Sequence, residues 1–535
     1  MPTPLDTLVV GAGHNGLVLA AYLARAGERV LVLESRDRVG GACTTEEPWP
    51  GFHVSTAAYV VSLFRPEIER DLDLARHGYQ VLKRDPSSFT PFPDGRSLLM
   101  GPDQASTLAE VARLSARDAV RLPRYEATLE RIAAAIEPTL LQTPPDPFSR
   151  RPGDLLRLAR MGLRFLALGK DGPAALEVLT GSARQVLDRW FESDALKATL
   201  STDAIIGAWA SPSTPGTAYV LFHHVMGETD GVRGVWGYVK GGMGRLSEAI
   251  ASAARAAGAE IRLNAPVARI LVEGGAAVGV VLRDGTELRA KRIASNADAT
   301  RTLLGLVGEA HLPPEVAEGA RAIDYSSGTV KINVALDALP DFKARPGRAA
   351  SPWHRGTIHV APTMEYLERA FDDARGGRPS ADPILECTIP SVVDPSVAPP
   401  GKHVLSMFVQ YAPYRLTAPL DWATERDRFA DRCFDVLEAY APGFKTSVLH
   451  REVLAPPDLE ARFGLTGGNI FQGAMTLPQL LFMRPLPGLA DYRTPIRNLY
   501  LCGAATHPGG GVMGACGYNA AREMLRDRRR GWPRR

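Results

Sequence analysis

Cysteine is scarce in this chain: five thiols, Cys43, Cys387, Cys433, Cys502 and Cys516, in 535 residues. Their number is odd, their positions are scattered and no Cys-x-x-Cys pair occurs. A disulfide framework, a zinc ribbon and a dithiol redox enzyme are thereby set aside, and a reducing cytoplasm is the expected setting. Long apolar runs are missing too. No stretch reaches the roughly 18 residues a membrane-spanning helix needs. A first strand expected near Leu5 leaves no room for a cleaved leader, so the cytoplasmic expectation stands. Charge of one sign is also lacking: Lys plus Arg number 62 against 59 Asp plus Glu, a net charge of +3. Such a balance argues against nucleic acid as the partner. The basic tail Arg526-Asp527-Arg528-Arg529-Arg530, ending in Arg534-Arg535, reads as a solvated, frayed terminus. No His or acid cluster has metal-ligand spacing, so no metal is expected. No Gly-x-Ser-x-Gly turn sits between a strand and a helix, so hydrolase chemistry has no support.

What is present is a large apolar fraction, 45%, in a chain long enough for two to four domains. Apolar runs at Leu8-Val9-Val10 and Val30-Leu31-Val32-Leu33 flank a helical pattern from Leu17 to Ala26. That is the grammar of parallel strands covered on both faces. Residues 88–100 read as a hairpin turning at Asp94-Gly95, and residues 102–200 as mostly helical. A helix is expected over Leu246 to Ala257, stopped by Gly258. Strand signals then follow at 260–263, 267–272, 277–282 and 287–293, expected to form one small antiparallel layer. More strands fall within 326–340 and 384–411, and a helix over 422–441. Leu499-Tyr500-Leu501 is a buried strand running into a glycine-rich loop and a last helix from about Val512.

The first chemical signal is Gly11-Ala12-Gly13-His14-Asn15-Gly16, between a strand and a helix. Gly11 allows the turn, Gly13 lets backbone approach a pyrophosphate, and Gly16 permits close strand–helix packing. The helix N-terminus then faces the anion. Glu34 closes the second strand, where a carboxylate accepts hydrogen bonds from ribose hydroxyls and repels a 2′-phosphate. Ser35 and Arg36 follow it. Gly40-Gly41-Ala42 would bring further amides to the same ligand. At the other end, Leu501-Cys502-Gly503-Ala504-Ala505-Thr506-His507-Pro508-Gly509-Gly510-Gly511-Val512-Met513-Gly514 runs from a strand through glycines into a helix. Such a loop suits a ribityl chain and the N1–C2=O edge of a flavin, where negative charge collects on reduction.

These residues resemble the phytoene desaturase and carotenoid isomerase superfamily of FAD-dependent oxidoreductases. Within it they look like the branch called pyridine nucleotide-disulphide oxidoreductase domain-containing protein 2. The resemblance spans nearly the whole chain, including Gly11–Thr45, Trp236–Leu246, Ser295–Asp298 and Gly468–Asn519. It implies an α/β fold: a glutathione-reductase-type, Rossmann-like FAD domain interleaved with a mixed α+β substrate domain. The FAD domain is expected over 1–75, 235–300 and 490–535, and the substrate domain over 76–234 and 301–489. FAD, held non-covalently, would lie on Gly11, Gly13, His14, Asn15, Gly16, Glu34, Ser35, Arg36, Gly40, Gly41, Ala42, Val267, Asn296, Gly503, His507, Gly510, Gly511, Val512 and Met513. Amine oxidases usually carry Gly-Gly-Arg where this chain has Gly40-Gly41-Ala42, a departure from that neighbouring group.

The resemblance further implies hydride transfer between flavin N5 and a hydrophobic, isoprenoid- or polyene-like molecule, as desaturase, saturase or isomerase. A flavin amine or amino-acid oxidase is one alternative, and an FAD-stabilised binding protein without turnover another. Electrons would leave to oxygen or a quinone, since Gly241-Gly242-Met243-Gly244 lacks the acid of a second nucleotide site. His223, His224, Trp236, Tyr238, Tyr411, Phe471 and Gln472 are candidates for a substrate wall. Lys331, within the strand-like run Ser327–Val334, is the candidate catalytic residue: flavin amine oxidases carry a lysine in a similar strand, where it holds a water against N5. The helical stretch Leu155–Leu166 mixes leucines with arginines. It is read as covering its own core with snorkelling arginines, and a peripheral membrane contact is the competing reading.

Overall fold

A computed structural model describes residues 5–229 and 231–532; Arg534 and Arg535 lie outside the described residues. Two seven-stranded sheets organise the chain. In the first, Leu5–Val10 lies parallel between Val30–Leu33 and Glu287–Ser295. Glu260–Arg262 extends the far side of Val30–Leu33, and Leu499–Leu501 pairs with Glu287–Ser295, both in parallel. All four residues of Val30–Leu33 are buried, as helices on both faces require.

The strand Glu287–Ser295 does double service. Its end joins the parallel sheet, while its start pairs antiparallel with Ala276–Leu282, which turns back onto Val267–Glu273. One expectation is corrected here. Glu260–Arg262 does not belong to the antiparallel layer: the helix Gly244–Ala256 is a crossover that returns the chain to the edge of the parallel sheet, where the strand pairs with Val30–Leu33.

The second sheet runs in the order Val448–Leu454, Thr329–Leu336, His403–Gln410, Ile384–Thr388, Thr357–Val360, Ser88–Pro91, Ser97–Met100. Both faces of Thr329–Leu336 are buried. One face is apolar: Val330, Ile332, Val334, Met407, Val409 and Leu385 pack against Phe429, Cys433 and Leu437 of the helix Trp422–Tyr440. The opposite face looks toward the first sheet. Helices between residues 104 and 225 form a separate roof with its own core, including Leu122, Leu129, Leu196 and Leu221.

The helix Pro152–Leu166 departs from expectation. Its leucines do not cover a core; Leu155, Leu156, Leu163 and Leu166 stand in solvent. Its inward positions are instead taken by Asp154, Arg157, Leu158, Met161 and Arg164, which leaves the other four leucines facing water.

Candidate functional site

At the end of Leu5–Val10 the chain turns through Gly11, whose φ of +93° suits glycine. The helix His14–Arg25 starts from Gly13 with no side chain capping its first amides. Those N–H groups are free to receive an anion, with the helix dipole behind them. A Cβ at Gly13 would sit 2.5 Å from Asn296 Nδ2. Glu34 is buried at the end of its strand. Its Oε2 accepts from the Ala12 N–H at 2.8 Å, and its Oε1 from the Arg36 N–H at 2.9 Å. The carboxylate is thus fixed beside the glycine turn, with lone pairs left for hydroxyls. Gly40 donates to the Ala12 carbonyl at 2.8 Å, which stitches the Gly40–Gly41 turn onto the first loop.

This cradle opens into a cavity of about 1400 Å³. Single-ligand pockets are roughly 300–1,000 Å³, so the space suits a cofactor together with a substrate. Gly11, Gly13, His14, Asn15, Glu34, Ser35, Arg36, Gly40, Gly41 and Ala42 line it, as do Val267 and Asn296 from the first sheet and Gly511 and Val512 from the C-terminal loop. On the other side stand His224, Trp236, Phe471, Gln472 and Lys331.

Eight of the residues singled out from the sequence stand off the cavity wall. Gly16 lies behind the turn, where a Cβ would strike the Gly11 carbonyl. Gly503 is packed on the Asn296 carbonyl and Gly510 on Phe471, and Ala504 reaches the cavity instead. His507 points the other way, with Nε2 3.2 Å from the Thr139 carbonyl. Met513 packs with Leu63 and Trp236. Tyr238 and Tyr411 are core residues, their hydroxyls donating to the carbonyls of Arg355 at 3.1 Å and Ala210 at 2.6 Å. His223 lies just behind Gly511, with both ring nitrogens buried and unpartnered among the described residues.

The wall opposite the cradle is the second sheet. Cross-strand register places Lys331 beside Phe408, Phe408 beside Glu386 and Glu386 beside His359. Side chains in register share a face, and all four line the cavity. Lys331 is 1% exposed. Its Nζ donates to Asn333 Oδ1 at 2.7 Å and to the Ser406 hydroxyl, and it lies 5.1 Å from the centre of the Tyr59 ring. The Tyr59 hydroxyl donates to Glu386 Oε1 at 2.5 Å. Arg84 gives its Nη1 to the Thr357 hydroxyl and its Nε to the Trp236 carbonyl at 3.4 Å, both neutral acceptors.

Burial dominates the electrostatics. It pushes the Lys331 ammonium down to about 7, against the opposing pull of Glu452, and the Glu386 carboxyl up to about 7. His359 is lowered to about 3, also by burial, with Arg84 adding to it. Burial also raises Asp203, which lines the same cavity from a roof helix. Two groups that exchange protons near neutrality therefore share one chamber.

Tyr59, Arg84, Asp203, Glu386 and His359 escaped sequence reasoning. Glu386 had a usable signal: it interrupts the apolar run Ile384-Leu385-Glu386-Cys387 just as Lys331 interrupts Val330–Val334. Tyr59, Arg84 and Asp203 sit in loops and helices without such contrast. Among the described residues, no group of three or more His, Cys, Asp or Glu side chains could hold a metal.

The residues fit a flavin dinucleotide. Uncapped helix amides and a buried ribose-side carboxylate stand at one end. Two buried cavity-side atoms, His14 Nε2 and Gln472 Oε1, have no partner among the described residues. An uncapped cradle opening into a chamber closed by a second sheet defines an FAD-dependent oxidoreductase. The sequence profile described as "Flavin containing amine oxidoreductase" matches residues 16–525, and the chain belongs to that family. It is similar to pyridine nucleotide-disulfide oxidoreductase domain-containing protein 2 of Mus musculus, at 48% identity over 98% of this chain and 93% of that protein. A limonene dehydrogenase polypeptide of Castellaniella defragrans is 30% identical over 98% of this chain and 94% of its own. A lycopene-forming phytoene desaturase of Pseudescherichia vulneris is 29% identical over 95% and 96%. Among solved structures, a putrescine oxidase has the same fold, with a TM-score of 0.62 at 17% identity, covering 98% of this chain and 99% of that one.

Proposed function

We propose that the chain oxidises a small molecule with an apolar body and a polar end, laid between the nucleotide cradle and the second sheet. The carrying observation is the row Lys331, Phe408, Glu386 and His359 on the cavity-facing side of that sheet. A bare polyene would leave His359 Nδ1, which has no partner among the described residues, buried and unsatisfied at a cost of about 1–3 kcal/mol, and would give the remaining acceptor capacity of Glu386 nothing to bind. The body can still be isoprenoid-like: Leu122, Leu129, Leu200 and Leu221 offer an apolar wall. The named activities of the limonene dehydrogenase and phytoene desaturase relatives support such a body.

Bound FAD supplies the hydride acceptor, held without a covalent bond. Of the protein groups, Lys331 holds a proton at Nζ that it gives up near neutrality, and so serves as acid or base toward a water or a substrate atom beside it. Glu386, hydrogen-bonded to Tyr59, positions the polar end. The roof helices and Trp236 keep bulk water out. On this reading the FAD domain comprises 1–75, 235–300 and 490–535, and the substrate domain 76–234 and 301–489. The electron acceptor would be oxygen or a quinone, reaching the cavity from outside the chain.

Lys331 and Glu386 also support a second reading, oxidation of an amine. Anaerobic absorbance titration separates the readings. Functionalised isoprenoids such as alcohols and acids should bleach the flavin, while hydrocarbons should not. Bleaching by amines alone would favour the second reading. No bleaching by any of them would favour a binding protein without turnover.

A further inference from the structure

The helix Pro152–Leu166 is turned inside out. Surface helices normally bury an apolar stripe and expose their charges. Here Asp154, Arg157, Leu158, Met161 and Arg164 face the body, and Arg157 donates to Asp154 at 2.5 Å. Leu155, Leu156, Leu163 and Leu166 are 53%, 52%, 65% and 76% exposed. Phe148, just before the helix, is 83% exposed. Leu481, 41% exposed, extends the patch from a different part of the chain, beside Phe482, whose ring meets Phe148 edge-on at 6.4 Å. An apolar patch assembled from two distant segments marks a contact surface.

Its charge identifies the partner. Arg157, Arg160 and Arg164 of this helix, with Arg522 and Arg526 of the C-terminal helix, border one hollow of about 460 Å³. Glu523 is the acid in that hollow, and it is already engaged by Arg493 at 2.9 Å and Arg526 at 2.5 Å. Arg150, Arg151 and Arg528 to Arg530 are exposed nearby in the sequence.

We propose that this face docks on an anionic phospholipid bilayer. The helix lies in the plane of the interface, its leucines and Phe148 reach the acyl boundary, and the solvent-exposed Arg150, Arg160 and Arg522 meet lipid phosphates. A second copy of the chain is the competing occupant. A two-fold contact through this patch would set the arginine cluster near its own image, an arrangement like charges oppose. The inference is independent of the substrate reading, since none of these residues lines the cofactor cavity.

The test is sedimentation of the FAD-loaded protein with phosphatidylcholine vesicles, with and without one lipid in three replaced by phosphatidylglycerol. The wild-type chain should sediment with the anionic vesicles. Release should follow as salt shortens the Debye length from about 10 Å to about 3 Å. Leu156→Glu combined with Leu163→Glu should lower the bound fraction about tenfold, and Arg160→Glu with Arg522→Glu should do likewise. Flavin content must stay at the wild-type level in both, which shows that the fold is intact. Failure of the wild type to bind anionic vesicles overturns the proposal. So does binding by the leucine variant at wild-type strength. A wild-type dimer that the leucine variant turns into a monomer, without vesicle binding, assigns the patch to a second copy instead.

Discussion

Replacing Lys331 by Met should make the protein more stable at neutral pH and less active. The side chain keeps its length and loses its charge. Burial lowers the lysine from 10.5 to about 7, which at about 1.36 kcal/mol per pH unit weighs about 5 kcal/mol against the ammonium form. Against that gain, Asn333 Oδ1 and the Ser406 hydroxyl lose their shared donor, at about 1–3 kcal/mol in all. The variant should therefore be about 2 kcal/mol more stable at pH 7.

The sign of the pH dependence is fixed by proton uptake. Between about pH 7 and 10.5 the unfolded lysine binds a proton that the folded lysine does not, so wild-type stability rises with pH across that window. The methionine variant has nothing to titrate there. The two stabilities should meet near about pH 8.5, with the wild type ahead above it. Glu386 acts mainly below the window, although losing the Lys331 charge raises its carboxyl further in the variant. Its carboxyl is raised from 4.5 to about 7, so its effect falls below the window: stability declines as pH rises from about 4.5 to about 7. Urea unfolding at pH 7 and at pH 9.5 measures the gap. A gap that stays constant between those values refutes the burial argument. Unchanged flavin content with wild-type reduction and reoxidation rates would refute a role for Lys331 at the reacting centre.

Gly13→Val should abolish FAD binding, because its Cβ alone would lie 2.5 Å from Asn296 Nδ2 and its methyls would enter the phosphate cradle; a yellow variant refutes this. Glu34→Ala should weaken FAD about tenfold by equilibrium titration, since the Ala12 and Arg36 amides lose their acceptor along with the ribose. Acid precipitation should release all the flavin: Cys43, which lines the cavity, has a thiol pushed up to about 11 by burial and turned toward the Met243 carbonyl at 3.4 Å. NADH and NADPH should fail to reduce the flavin rapidly. The amides of the second glycine cluster are already taken, Gly241 by Asp394 at 2.6 Å, Met243 by Ser55 at 3.0 Å and Gly244 by Thr45 at 2.8 Å.

The nucleotide half was legible because its signals are local. A glycine at a positive φ, a helix start and an acid at a strand end all lie within thirty-odd consecutive residues, and each needs its own residue type. The C-terminal loop was half legible. Glycines announce close approach of backbone, but not to what: Gly503 and Gly510 approach Asn296 and Phe471, while Gly511 and Ala504 reach the cavity. The substrate wall was the least legible, since it is assembled by register between strands whose facing residues lie 22 to 77 positions apart. Lys331 could be noticed alone, but its row with Glu386 and His359 exists only once Thr329–Leu336, His403–Gln410 and Ile384–Thr388 are paired. The helix Pro152–Leu166 shows the converse limit. Its amphipathic pattern fixed a helix and two faces, and only packing decided which face met water.

The remaining question is what holds the two glycine-rich loops in place around the cavity. Val512 and Gln472 both line it with positive φ, 58° and 56°, a region that costs a non-glycine residue about 1–3 kcal/mol. For β-branched Val512 the conformation is especially unfavourable. Such strain persists only where neighbours over-determine it, and for Gln472 Arg484 is one such neighbour, bonded to the carbonyls on either side of it. It is 1% exposed, and its hydrogen-bond acceptors in the structure are backbone carbonyls, so it spends its donors on the chain itself. Nη2 reaches the carbonyls of Phe471 at 2.6 Å, Ala504 at 2.8 Å and Gly473 at 3.2 Å, and Nη1 that of Gln479 at 3.1 Å. One guanidinium thus ties the loop around Gln472 to the start of the loop that carries Val512. Charge-assisted bonds of this kind are roughly twice as strong as neutral ones. Those bonds hold the Gln472 segment against the start of the loop that leads to Val512, two stretches that both reach the cavity.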